Sequence, residues 1–141
     1  MLVRREVYDT IGLMDEGFFL YFEETDFCLC AHRAGWECWY VPEGNVHHIR
    51  GQSTGLTEIG SKRRLPSYWF DSRRRYFIKS HGFPFAVLAD VLWISSLSLW
   101  RLRRRLQGKP DTDPSHLLAD AITQSVVFKG RQTKKHLKAQ H

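Results

Sequence analysis

Met14-Asp15-Glu16-Gly17-Phe18-Phe19-Leu20-Tyr21-Phe22-Glu23-Glu24-Thr25-Asp26 is the stretch on which the reading of this chain turns. An aromatic run is bracketed by carboxylates. The run is too irregular for a half-buried strand, which would alternate apolar and polar residues. Directly after it, Phe27, Cys30, Ala31 and Ala34 recur at helical spacing, so Thr25–Ala34 is predicted as a helix closed by Gly35. Glu23, Glu24 and Asp26 then surround the start of that helix. The helix dipole favours carboxylates there, by about 0.3–1 kcal/mol each. An acidic first turn is also an ordinary capping device, so this feature alone does not select a chemistry.

Working outward, Arg4–Ile11 reads as a short helix ended by Gly12. Trp36–Val41 reads as a strand stopped by Pro42-Glu43-Gly44, and Val46–Ile49 as a second short strand entering a polar loop over Arg50–Thr57. Trp36, Trp39 and Tyr40 suit a packed core better than a sugar-stacking platform. Residues 61–80 form a basic, aromatic helix candidate ending near His81-Gly82. Phe83–Trp100 then carries one charge, Asp90, and Arg101–Lys109 is strongly basic. Asp113-Pro114 has the form of a cap followed by proline, so His116–Phe128 is predicted as a last helix before a polar tail.

The 141 residues suit one domain, and 43% hydrophobic content is enough for a core. Cys28, Cys30 and Cys38 include no CxxC pair and do not form a secreted disulfide framework, so a reducing cytoplasm is expected. The N-terminal residues carry charges where a signal peptide has an apolar run. The net charge is +6, with basic clusters at 62–64, 73–75, 101–105 and 134–135 that favour phosphates, nucleic acid or anionic lipid. No nucleic-acid reader motif accompanies them, so no nucleic-acid partner is expected.

The acidic–aromatic stretch is followed, in order, by Arg33-Ala34-Gly35-Trp36, by Tyr40-Val41-Pro42 and by His48-Ile49-Arg50-Gly51-Gln52-Ser53. This series resembles the C-terminal part of bacterial family 2 glycosyltransferases of GT-A type, in their rhamnosyltransferase-like branch. Met1–Arg5 resembles the segment before it, and the likeness extends to about residue 82. The implied fold is α/β: the C-terminal part of a GT-A, Rossmann-like nucleotide-diphospho-sugar transferase fold, followed by an α-helical extension. The resemblance assigns the general base to Glu24, where the family usually has Asp, with Glu23 as the neighbouring acid. Asp26, Asp15 and Glu16 become acceptor or positioning groups. His48 is assigned to a divalent cation, Mn or Mg, whose Asp-x-Asp partner belongs to the nucleotide-binding half of such enzymes. Arg50, Gln52, Ser53 and Arg73 are candidate diphosphate contacts, with Arg75 a further one. Asp111-Thr112-Asp113 spells such a motif but stands in the wrong order for it.

The implied reaction is inverting transfer from a nucleotide-sugar donor to a hydroxyl of a lipid-linked or polysaccharide acceptor in cell-surface polysaccharide biosynthesis. A separately encoded N-terminal half is a further implied partner, and this polypeptide alone is expected to be inactive. The expected divisions are 1–82 for the acceptor and base part, 83–109 for an apolar and basic amphipathic helix, and 110–141 for a helix and tail. Leu88, Leu92, Leu99, Leu102 and Leu106 share a stripe on that helix. They suit an anionic membrane surface at the inner face of the cytoplasmic membrane, or a helix packed on other protein. Two other classes remain beside the transferase: a non-catalytic basic module binding membrane or nucleic acid, and a degenerate remnant.

Overall fold

The computed structural model describes residues 1–45 and 63–130. Six helices follow in order: α1 (Arg5–Ile11), α2 (Glu23–Arg33), α3 (Ser67–His81), α4 (Phe83–Leu106), α5 (Leu117–Thr123) and α6 (Val126–Lys129). Two apolar clusters form between them. Val7 of α1 and Phe27 and Ala31 of α2 make the first, flanked by Val3, Ile11, Met14 and Trp36. Phe70 of α3 and Leu117 and Ala121 of α5 make the second, joined by Trp69, Trp93, Ile94 and Leu97. Of the helical face read from Phe27, Cys30, Ala31 and Ala34, Phe27 and Ala31 are buried, Cys30 is half-buried and Ala34, past the end of α2, is exposed.

Gly82 separates the two long helices. Its φ of 85° turns the chain at low cost, because glycine has no Cβ to clash there. Pro84 follows in the first turn of α4, where a missing N–H breaks no helical bond. The turn lets α4 fold back on α3 and pack against α5 and α6 as well. Asp90 is the polar pin of that packing. It is buried, accepts from the Arg73 guanidinium, and accepts the Val126 N–H at 2.7 Å. Arg73 also lies over the Phe77 and Trp93 rings, 4.8 and 4.6 Å from their centroids. A second ion pair, Arg64 to Asp120 at 2.8 Å, ties the segment before α3 to α5.

Four expectations are corrected. Residues 36–41 form no strand, and no strand occurs among the described residues. A strand is held by hydrogen bonds to a neighbouring strand, and none lies beside this segment among the described residues. Trp36 packs on the first cluster as expected, but Trp39 and Tyr40 are exposed rather than core residues. The last helix is two helices, broken at Gln124-Ser125, where Val126 begins a new turn with its N–H on Asp90. Asp113 does not cap it. Its carboxylate is taken by Arg101 at 3.2 Å, and α5 starts only after His116 in a left-handed conformation. The predicted strand at 46–49 lies outside the described residues.

Candidate active site

The acidic–aromatic stretch is a clamped loop leading into the first turn of α2. Tyr21 and Phe22 both take positive φ, 69° and 68°. Side chains rarely adopt that conformation, and each such residue costs on the order of 1–3 kcal/mol. Contacts to α3 hold it. Phe22 meets Trp69 edge-on and stacks on Tyr76, Tyr21 stacks on Tyr68, and the Ser72 hydroxyl donates to Leu20 O at 2.8 Å.

The loop's carboxylates divide into two groups. Asp15 accepts from Arg75 at 2.8 Å, from Lys79 at 2.9 Å and from the Gly17 N–H at 2.8 Å. Partial burial alone would raise its pKa. Lys79, the Gly17 N–H and Arg75 outweigh that and hold it at about 2. Asp26 is buried and accepts from Lys79 at 2.6 Å. Burial works against the Lys79 ammonium, but Asp26 and Asp15 push its pKa above the ordinary lysine value. A Cβ at position 17 would come 2.1 Å from the Arg75 guanidinium carbon, so any side chain there would displace Arg75 from its place on Asp15. Asp15 and Asp26 are thus both neutralised by α3.

Glu16, Glu23 and Glu24 form the second group. Glu16 and Glu24 are exposed. Glu23 is half-buried, and its Oε2 has no hydrogen-bond partner among the described residues. The structure therefore places Glu23 and Glu24 together on the first turn of α2, with Glu24 open to solvent beside a rigidly held loop. A carboxylate so placed accepts a proton from a docked hydroxyl with no internal ion pair to break.

The other candidate residues are distributed as follows. Arg73 is turned away from the loop, onto Asp90 in the α3–α4 packing. Arg75 faces the loop but is engaged by Asp15. Asp111 and Asp113 pair with Arg101, at 3.5 and 3.2 Å. His48, Arg50, Gln52 and Ser53 lie outside the described residues. Among the described residues no three His, Cys, Asp or Glu side chains are grouped to hold a metal ion. A groove of about 560 Å³ runs along α2, lined by Met1, Val7, Phe27, Cys28, Trp36 and Trp39 among others. None of the loop carboxylates lines it.

Lys79 was not singled out in the sequence, yet it bridges the two clamped carboxylates. The signal was its spacing: Ser72, Arg75 and Lys79 recur at three and four residues, which puts them on one face of α3.

No family model matches the chain, and no solved structure matches it. Over 55 residues it is 40% identical to N-acetylglucosaminyl-diphospho-decaprenol L-rhamnosyltransferase of Mycobacterium tuberculosis, in strains CDC 1551 / Oshkosh and ATCC 25618 / H37Rv alike. That stretch is 39% of this chain and 18% of the relative. The similarity relates this chain, over part of its length, to a glycosyltransferase.

Proposed function

We propose that this chain is the base-bearing, acceptor-side part of an inverting glycosyltransferase of GT-A type. The observation that carries the reading is the exposed Glu24 on the first turn of α2, beside a clamped, strained loop, with Asp15 and Asp26 already neutralised by Lys79 and Arg75. Glu24 takes the proton of the acceptor hydroxyl. The acceptor oxygen bonds to the anomeric carbon as that carbon's bond to the nucleoside diphosphate breaks. The bonding pair leaves on the diphosphate. A divalent cation, held in part by His48, would neutralise the leaving charge. Arg50, Gln52 and Ser53 remain the proposed diphosphate contacts, while Arg73 and Arg75 have internal carboxylate partners. By analogy with the relative's name, the proposed acceptor is a lipid-linked diphosphate sugar and the proposed donor sugar is rhamnose. Donor-binding residues supplied from outside this chain complete the site.

The test is a chimera in which residues 1–82 replace the matching segment of the mycobacterial enzyme. The chimera transfers sugar. Glu24→Gln lowers transfer roughly 10²–10⁴-fold, the usual contribution of a general base. Glu24→Asp, shorter by one methylene, supports transfer because it keeps the acid. A Glu24→Gln chimera as fast as its parent, or a folded chimera that is inert with Glu24 intact, overturns the assignment.

A further inference from the structure

We propose that the outer face of α4 docks on an anionic lipid bilayer, with the helix lying in the interface rather than crossing it. The inference rests on α4 alone and is independent of the role given to Glu24.

Helix α4 is apolar on two sides. Its inner side carries Ala86, Asp90, Trp93, Ile94 and Leu97, turned to α3, α5 and α6. Its outer side carries Leu88, Leu92, Leu99, Leu102 and Leu106, joined by Phe85 and Val91, and these are between 47 and 80% exposed. Their spacing of three, four and seven residues puts them on one side of the helix, where exposed Ser95 and Ser96 separate Leu92 from Leu99. Single exposed apolar residues are ordinary, but seven on one side of one helix mark an interaction surface.

Charge selects the occupant. The only acid of α4, Asp90, is on the inner side and paired with Arg73. Arg103 lies four residues beyond Leu99 and three before Leu106, on the stripe itself. Arg105 flanks it, and both are exposed. Arg101 and Arg104 face the other way, to Asp111, Asp113 and the Pro110 carbonyl. The outer side is therefore apolar and cationic with no counter-charge of its own. A second copy of the same face would bring arginines together without an acid to meet them. Lipid phosphates provide the missing charge, and acyl chains accept the leucines. Trp100 is suited to the headgroup level, with the Arg104 guanidinium 5.4 Å from its ring centroid.

The same geometry argues against a spanning helix. With 24 residues and a mean hydropathy of 1.6 over its most apolar window, α4 is long and apolar enough to cross. Crossing would carry the Arg73–Asp90 pair and the packed helices α3, α5 and α6 into the hydrocarbon, or strip them from α4.

The experiment is sedimentation of the whole 141-residue chain with vesicles of phosphatidylcholine alone or mixed with phosphatidylglycerol. Binding is expected to the mixed vesicles only, weakening as salt is raised. Replacing Arg103 and Arg105 together with alanine lowers partitioning about 25-fold, roughly fivefold per arginine. Leu92→Asn with Leu99→Asn abolishes it, while circular dichroism and thermal unfolding stay as in the parent, because both leucines are exposed. No binding to either vesicle, equal binding to both, or binding indifferent to both double variants overturns the proposal. So does a dimer in sedimentation velocity that Leu92→Asn with Leu99→Asn dissociates, which would give the face to a second copy. Resistance of the bound chain to alkaline extraction would show a spanning helix and overturn the in-plane geometry.

Discussion

At the scale of single residues, the site depends on how its carboxylates are partnered. Asp15 is a stronger acid in the folded chain than in the unfolded one, at about 2 against 3.8. Such a group adds stability that is fully present above the unfolded value and is lost as pH falls through the folded one. Asp120, lowered by Arg64, acts in the same direction. Acid unfolding followed by circular dichroism is expected to show stability falling between pH 3.8 and about 2, with a shallower fall in Asp15→Asn. Glu24 differs from Asp15 and Asp26 in having no cation on it among the described residues, although all three stand in one acidic sequence. Nothing in their residue types separates them. What separates them is which of them face Arg75 and Lys79.

At the scale of elements, α4 shows how one helix serves two environments. Its inner side is held by a buried ion pair with an added backbone hydrogen bond, Arg73–Asp90–Val126. Removing one member of a buried pair leaves the other charge unpaired, at a cost of about 3–5 kcal/mol. Asp90→Ala is therefore expected to destabilise the chain by that order in urea unfolding. Asp90→Asn, which keeps an acceptor for the Val126 N–H, is expected to cost less. The positive-φ pair at Tyr21 and Phe22 is the other element-level device. It turns the chain sharply into α2, and the aromatic side chains that follow from the turn lock it on Tyr68, Trp69 and Tyr76.

At the scale of the molecule, two small clusters are joined through aromatic and polar contacts between the loop, α2 and α3. Lys79 bridges Asp15 and Asp26, Arg75 holds Asp15, and Arg33 donates to the Ser80 carbonyl at 2.6 Å. Lys79→Met leaves buried Asp26 without its cation. Hydrogen exchange is expected to show α2 amides losing protection while those of α3 and α4 keep theirs, because the second cluster does not use Lys79. Protection lost equally in all three helices would mean that the two clusters unfold as one unit. By itself the sequence determined the helices with a strong apolar period, the leucine stripe of α4, the acidic entry to α2 and the glycosyltransferase likeness, since periodicity and motif order are local properties. Only the tertiary structure decided that Arg73 serves Asp90, that Lys79 bridges Asp15 and Asp26, that Glu24 stands exposed, and that residues 36–41 are not a strand. Those outcomes depend on partners far away in the chain, and a charge or a β-prone segment carries no record of what will lie beside it.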